Sequence, residues 1–238
     1  MTHSHIVSSF DEDLNRLRTK IVTMANLVAK QFSDAEKALV SKDLKLAKIV
    51  RENDKQVDQL EQEIEKSSIE LIAMRSPMAD DLREIISAIK ISNALERIGD
   101  YAKNLSKRVI VLNETNKFDA NYAVLSQMVN LINIMNKDVI DAYVNKSAEK
   151  AISVWTRDIV VDNLYDTLFR EMLTYMMENP ELITPATHLL FVAKNIERAG
   201  DHLTNIAELI YYIVEGIPLE LNRPKGDKSS EVNTEDLD

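Results

Sequence analysis

The chain repeats itself. Displaced by 104 positions, the middle of the first half lies over the second half without a gap. Met24 meets Met128, Leu27 meets Leu131, Asp34 meets Asp138, Ala47 meets Ala151, Val50 meets Val154 and Val57 meets Val161, and the acids Asp54 and Asp58 meet Asp158 and Asp162. Beyond a proline-containing turn the displacement falls to 101, so the second turn is shorter. There E-R-x-G-D-x-x-x-N recurs, with Glu96, Arg97, Gly99, Asp100 and Asn104 over Glu197, Arg198, Gly200, Asp201 and Asn205. Two unrelated amphipathic helices share apolar spacing by chance, but not the same string of charged and small residues in one register. Whatever unit the first half folds into, the second half must fold into as well.

That unit is helical. Leu14, Leu17, Ile21, Met24, Val28, Phe32, Ala35 and Leu39 recur at spacings of three and four and predict a first helix over 11–40. Val50, Val57, Ile64 and Leu71, with Leu46, Leu60 and Met74 at the partner position, form a heptad stripe and predict a second helix over 44–74. A third pattern runs over 80–112. The breaks fall at Ser41–Lys42 and at Ser76–Pro77, where the proline removes a ladder donor and disfavours helical geometry in the residue before it. Short turns between long helices make neighbours antiparallel. The second half predicts helices over 119–146, 148–178 and 184–215, stopped by Gly216 and Pro218. The fold class expected is therefore all-α: two tandem, duplicated antiparallel three-helix bundles of six long helices, at 11–113 and 119–216. A mobile end at 1–10 and a disordered, polar, aperiodic tail at 217–238 are expected to flank them. With 4 Gly and 5 Pro in 238 residues, the chain lacks the turn formers that a β-rich fold needs.

Composition narrows the function. A formal net charge of −10 disfavours nucleic acid and anionic membrane as partners, since both repel negative charge. The absence of cysteine excludes disulfides, thiolate metal sites and cysteine nucleophiles. No apolar run approaches the roughly 20 residues that span a bilayer, and the first residues do not pair a basic stretch with an apolar one, so a cytoplasmic location is expected. No phosphate-binding glycine loop, G-x-S-x-G, H-E-x-x-H or E-x-x-H occurs. Of the four histidines, His3 and His5 fall in the expected mobile end. His202 stands opposite Tyr101 in the repeat and reads as a packing or surface residue. Met24, Met128 and Met172 read as core filler.

The carboxylates carry the one chemical signal. In the third helix the row Leu82, Ile86, Ile89 continues into Asn93, Glu96 and Asp100, and in the sixth Leu190 leads to Glu197 and Asp201, so acids extend what reads as an inward stripe. In the second helix Asp54 lies about 40° and Asp58 about 100° from the Val50–Val57 line, on the border of the packed face, with Glu61 and Glu65 beyond. Antiparallel packing sets Asp54/Asp58 opposite Glu96/Asp100, and Asp158/Asp162 opposite Glu197/Asp201. Two like charges ~6 Å apart at an effective dielectric of ~20 repel by about 3 kcal/mol. Protonation or a cation must relieve this. All-oxygen ligands favour hard ions such as Mg²⁺, Ca²⁺, Mn²⁺ or ferric iron, with zinc left open. The competing account is internal ion pairing by Arg97 and Arg198. Gly99 and Gly200, placed inside helices at a cost of about 1 kcal/mol each relative to alanine, predict close approach of a neighbouring backbone.

These motifs resemble the PhoU family, above all L-E-R-I-G-D-Y-A-K-N at 95–104 and I-E-R-A-G-D-H-L-T-N at 196–205. V-x-x-x-D-x-x-V-D-x-L-E at 50–61 and S-P-M-A-D-D-L-R at 76–83 are also similar to the family pattern. The resemblance implies a cytoplasmic negative regulator of the phosphate-starvation response. It would act as an adaptor between a phosphate ABC transporter and a sensor histidine kinase, be peripheral to the membrane through those partners, and form a homodimer. It also implies metal ions at Asp54, Asp58, Glu96, Asp100, Asp158, Asp162, Glu197 and Asp201, with fewer in the second half, where Tyr165 replaces Glu61. No enzymatic activity is expected. A carboxylate-metal phosphohydrolase and a purely structural helical scaffold are the alternatives.

Overall fold

The structure, a computed structural model, describes residues 2–115 and 122–219, with side chains at 10–113 and 122–219. Six long helices account for nearly all of it: α1 Thr2–Ser41, α2 Leu44–Arg75, α3 Ala79–Thr115, α4 Ala123–Asn145, α5 Ala148–Glu178 and α6 Ile183–Glu215. A short 3₁₀ turn at Pro180–Leu182 joins the last two. There is no strand among the described residues. The all-α, duplicated six-helix architecture is as the periodicity predicts. The helix at the start extends back to Thr2, ahead of the boundary read at 10–11, since neither Gly nor Pro interrupts that stretch. The tail beyond 219 and most of the joint at 113–119 lie outside the described residues.

The duplication is visible in the turns. Lys42 and Lys146, equivalent in the repeat, both adopt the left-handed conformation at the end of their helices (φ 55° and 51°). Each is followed by a residue whose backbone N–H reaches five residues back, Asp43 to the carbonyl of Ala38 and Ser147 to that of Ala142, both at 3.0 Å. The same two residues then cap the next helix. Asp43 Oδ1 accepts from the N–H groups of Lys45 and Leu46 at 2.9 and 3.0 Å, and Ser147 Oγ from that of Lys150 at 3.2 Å. Ser76, ahead of Pro77, is also left-handed and ends α2. Gly216, at φ 76°, closes α6 by donating to the carbonyl of Tyr212.

α1, α2 and α3 pack on one another, as do α4, α5 and α6, and the two units meet along α3 against α6 and α1 against α4. α3 and α6 run antiparallel. The Arg83 guanidinium covers Gly216 at one end, Tyr101 meets its repeat equivalent His202 in the middle, and Arg108 meets His188 towards the other end. On the other seam, Asn136 Nδ2 donates to the carbonyl of Ala25 at 3.1 Å and Asn133 Nδ2 to Ser33 Oγ at 3.0 Å. The apolar core is continuous across both units.

All eight residues of the stripe read in α1 are buried, as are Val50, Val57, Ile64 and Leu71 in α2. The partner position of that heptad is only partly covered: Leu46 and Leu60 are half-buried and Met74 is exposed. The row read in α3 is displaced. Leu82, Ile86 and Asn93 are exposed, and the buried face is Ile85, Ala88, Ile91, Ser92, Leu95, Ile98 and Ala102. α3 is packed by α1, α2 and α6, so its buried arc is wide. Alanine, serine and glycine fill much of that arc, because three neighbouring backbones leave room for little more.

Candidate metal centre

The displaced face of α3 changes where its acids stand. Glu96 and Asp100 do not extend a buried row. They lie on the rim of the α2–α3 contact, half-exposed. With Asp58, Glu61 and Gln62 from α2, and with Lys103, they line an open cleft of about 470 Å³. Asp54 lies deeper, only 2% exposed, packed under Gly99. Its Oδ2 is 2.5 Å from the Lys103 ammonium, which also lies 3.2 Å from Asp100 Oδ1. One lysine therefore stands between an acid of α2 and an acid of α3. Those two contacts hold Lys103 well above the usual lysine range, the Asp54 bond contributing most.

The other carboxyls of this cleft are crowded. Asp58 is raised above its ordinary value by burial, then by Asp54 and Asp100, with Lys103 opposing. Glu61 is raised by burial, then by Glu65 and Asp58. Glu96 is raised by burial, then by Asp100, against Arg97, with Asp58 and Glu61 adding to the rise. Arg97 itself is mostly exposed, and its one ion pair among the described residues is with Glu96, at 3.7 Å. The cation that neutralises the buried acid is thus Lys103, which the sequence reading did not single out. Its position was masked by the repeat, because its equivalent in the second half is Thr204.

In the second half the cluster is more deeply enclosed. Asp158, Asp162 and Glu197 are 1%, 4% and 6% exposed, and Asp201 is half-exposed. Glu197 is raised by burial, then, against Lys194, by Asp201 and Asp162. Lys194 Nζ lies 3.0 Å from Glu197 Oε1 and 4.9 Å from the centre of the Tyr165 ring. Tyr165, in the place of Glu61, thus closes the cluster with an aromatic wall. The two clusters share a plan and differ in their cation. The first holds a lysine inside, from α3 itself, while the second takes one from a turn earlier on α6.

Side chains rather than a neighbouring backbone face the two helical glycines, above all the Asp158 carboxylate at Gly200. A Cβ on Gly200 would collide with Asp158 Oδ1, and one on Gly99 would meet Gln31 Oε1 at 3.2 Å, Val57 Cγ1 at 3.3 Å and Asp54 Oδ1 at 3.6 Å. The first contact is a collision with a carboxyl that is itself only 1% exposed, the second a tight approach to the end of a glutamine side chain that can give by a few tenths of an ångström. Gly200→Ala is expected to lower stability by about 1–2 kcal/mol, overpacking of roughly 1–3 kcal/mol outweighing a gain of about 1 kcal/mol in helix propensity. Gly99→Ala is expected to be close to neutral. Urea melts of the two variants check the order; a Gly200→Ala protein as stable as the original would show that Asp158 is not confined.

Chemically, each cluster offers oxygen donors from two helices at close quarters, the donor set of a hard cation. The upward pull that neighbouring carboxylates exert on Asp58, Glu61, Glu96 and Glu197 is the electrostatic counterpart of that fit. Among the described residues, no three carboxylate or histidine side chains are gathered tightly enough to hold a metal ion as they stand. His202 is no part of either cluster. It is half-buried against Tyr101, with the phenol oxygen 3.2 Å from its Nε2 and the rings 5.6 Å apart.

A duplicated pair of three-helix units, each setting an acidic pair on one helix against an acidic pair on the next, defines a class of helical carboxylate-cluster proteins without a catalytic nucleophile motif. The family model for the PhoU domain matches the chain twice, at residues 21–109 and 125–210, one match on each unit. The chain belongs to the PhoU family. It is 47% identical over 230 residues to a phosphate-specific transport system accessory protein PhoU homolog of Rhizobium meliloti, covering 97% of both chains. A homolog of the same description from Caulobacter vibrioides is 44% identical over 227 residues, covering 95% of this chain and 99% of that one. The crystal structure of PhoU from Pseudomonas aeruginosa superposes with a TM-score of 0.84 at 38% identity, covering 87% of this chain and all of that one. The phosphate transport system regulatory protein PhoU from Streptococcus pneumoniae does so at 0.83 and 31%, covering 89% of this chain.

Proposed function

We propose that this protein is an accessory regulator of a phosphate-specific transport system. It works as an adaptor that restrains a sensor histidine kinase when phosphate is plentiful, by docking with the kinase and with the transporter's cytoplasmic components. The observation that carries this reading is the near full-length similarity to proteins named for that system. Two features of the chain support it. No catalytic nucleophile motif or phosphate-binding glycine loop occurs in the sequence, which favours a regulator over an enzyme. No helix among the described residues is long and apolar enough to cross a membrane, so action at a membrane system would run through partners. The test is a pull-down from membranes of phosphate-replete cells, with the tagged protein as bait. Recovery of the kinase or of the transporter ATPase supports the adaptor, and recovery of neither removes it.

The acidic clusters are proposed to hold hard metal ions, with Asp54, Asp58, Glu96 and Asp100 in the first unit and Asp158, Asp162, Glu197 and Asp201 in the second as ligands. A bound cation would offset the crowding of charge and join α2 to α3 and α5 to α6. The acids Asp58, Glu61, Glu96 and Glu197 have folded pKa values raised above their ordinary 3.8 and 4.5. Such groups bind protons more tightly in the folded state. Their contribution to stability is complete below the ordinary values and is lost as pH rises through the raised ones. In the presence of chelator, the melting temperature is therefore expected to rise on mild acidification from neutrality. Divalent metal should raise it at neutral pH and flatten that dependence, because an ion holds the carboxylates deprotonated. A melting temperature indifferent to chelator, together with an elemental analysis free of metal, would leave the clusters as a structural feature of the scaffold.

A further inference from the structure

The duplication sets two grooves along the α3–α6 seam, on opposite flanks of the Tyr101–His202 contact. One contains Arg97 and Asn205; the other contains their repeat equivalents Arg198 and Asn104. The surrounding positions have diverged in one direction. Glu208 of the first groove corresponds to Lys107 of the second, Leu209 to Arg108, and Asn93 to Lys194. Among its described lining, the first groove has the cations Lys90 and Arg97 with the acid Glu208 and the half-buried His202, and Glu208 is bonded to the Trp155 indole N–H at 2.9 Å. The second groove has Lys107, Arg108, Lys194 and Arg198 and no carboxylate. Since the backbone frame is the same, packing does not require this difference in charge. In a chain of net charge −10 it is a local reversal of sign.

Four cations around one concavity repel one another. Lys194 is relieved by Glu197. Lys107, Arg108 and Arg198 make no ion pair with any described residue; Lys107 Nζ donates to Asn104 Oδ1 at 3.0 Å and Arg108 Nη1 to His188 Nδ1 at 3.1 Å. His188 accepts from Arg108 at Nδ1, and burial and Arg108 both hold its imidazole below the ordinary value. The groove is also more than a charged patch. It is about 580 Å³ in volume, the size of a small-molecule site rather than of a single inorganic anion. Phe191 stands at its edge, 48% exposed, with the Arg108 guanidinium 4.6 Å from its ring centre, a flat surface on which a planar ring can stack.

We propose that this groove binds a nucleotide, with its phosphates on Lys107, Arg108 and Arg198 and its base along Phe191. Calorimetric titration of the full chain with ATP, ADP and AMP tests it, in excess chelator so that no metal bridges the ligand to the acidic clusters. Pyrophosphate and inorganic phosphate serve as base-free ligands. The expected result is saturable binding of one ATP per chain with a Kd below about 1 mM. Arg198→Ala and Lys107→Ala should each weaken it about tenfold, the loss of one charge-assisted contact. Arg97→Ala in the opposite groove should leave it unchanged. Phe191→Ala should weaken ATP but not pyrophosphate. All four side chains are exposed, so the variants should fold, and circular dichroism checks that they do. Three results would each overturn the proposal: no binding of any nucleotide in the millimolar range, pyrophosphate binding as tightly as ATP, or equal losses from Arg97→Ala and Arg198→Ala.

Discussion

Glu84→Ala is expected to lower the stability of the folded chain by about 2–3 kcal/mol, less than for a fully enclosed ion pair because the Arg18 and Lys146 side chains left behind can turn to water. Glu84 lies on α3, only 3% exposed. It accepts from Arg18 of α1 through both carboxylate oxygens, Nη2 lying 2.8 Å from Oε2, and it pairs with Lys146 at 3.1 Å. Lys146 is the left-handed residue between α4 and α5, so this carboxylate joins the α1–α3 seam of its own bundle to a turn of the other unit. Burial alone would raise its pKa, but Arg18 and Lys146 overcome burial and hold it below the ordinary 4.5. The sign is therefore opposite to that of the acidic clusters. The contribution of Glu84 is complete above the ordinary value and is lost as pH falls through the depressed one. Chemical melts of Glu84→Ala and the original chain at neutral pH and in strong acid should show the gap narrow on acidification. Glu84→Gln, which keeps the shape and removes the charge, should fall between the two. A neutral-pH gap below about 1 kcal/mol would class Glu84 with solvent-exposed pairs.

Glu84 also marks where reading by repeats runs out. Its equivalent in the second half is Pro185, so no comparison of the halves points to it, and a lone Glu in an amphipathic helix reads as surface. Lys103 was hidden in the same way by Thr204. What the duplication does reveal are features both units need: the helix ends at Lys42 and Lys146, the caps at Asp43 and Ser147, the paired acids, and the glycines beside them. α1 was legible because one large apolar stripe packs it. α3 was not, because helices on three sides replace leucine and isoleucine by alanine, serine and glycine, and a search for bulky residues finds the edge of its buried arc instead of the centre. That shift moved Glu96 and Asp100 from an expected interior to the rim of a cleft, where an ion could reach them from solvent. The same reasoning separated two tandem bundles, whereas the Asn136 and Asn133 contacts and the α3–α6 seam join them into one core, through pairings between halves that no local pattern encodes.

Lys103→Met should produce two effects of opposite sign. The stem of the side chain is kept and the ammonium removed, leaving Asp54 buried beside Asp58 and Asp100 with no cation. Without metal, the loss expected is about 2–3 kcal/mol, less than for a fully enclosed pair because Lys103 is one-third exposed. The same substitution frees the Asp54 and Asp100 oxygens that the lysine now occupies, at 2.5 and 3.2 Å. A divalent ion should therefore bind the first cluster of the variant more tightly than that of the original chain, by about tenfold if the vacated lysine contact is worth about 1.4 kcal/mol. It should also restore most of the lost stability. The second cluster, with Thr204 at the equivalent position, serves as the internal control, since its affinity should not move. Metal titrations followed by calorimetry, with melts before and after loading, read both quantities on one sample. Weaker metal binding in Lys103→Met would mean that the lysine positions the carboxylates rather than competing for them. Asp54 would then be a structural acid whose partner is the lysine, and any metal would be held by Asp58, Glu96 and Asp100 without it.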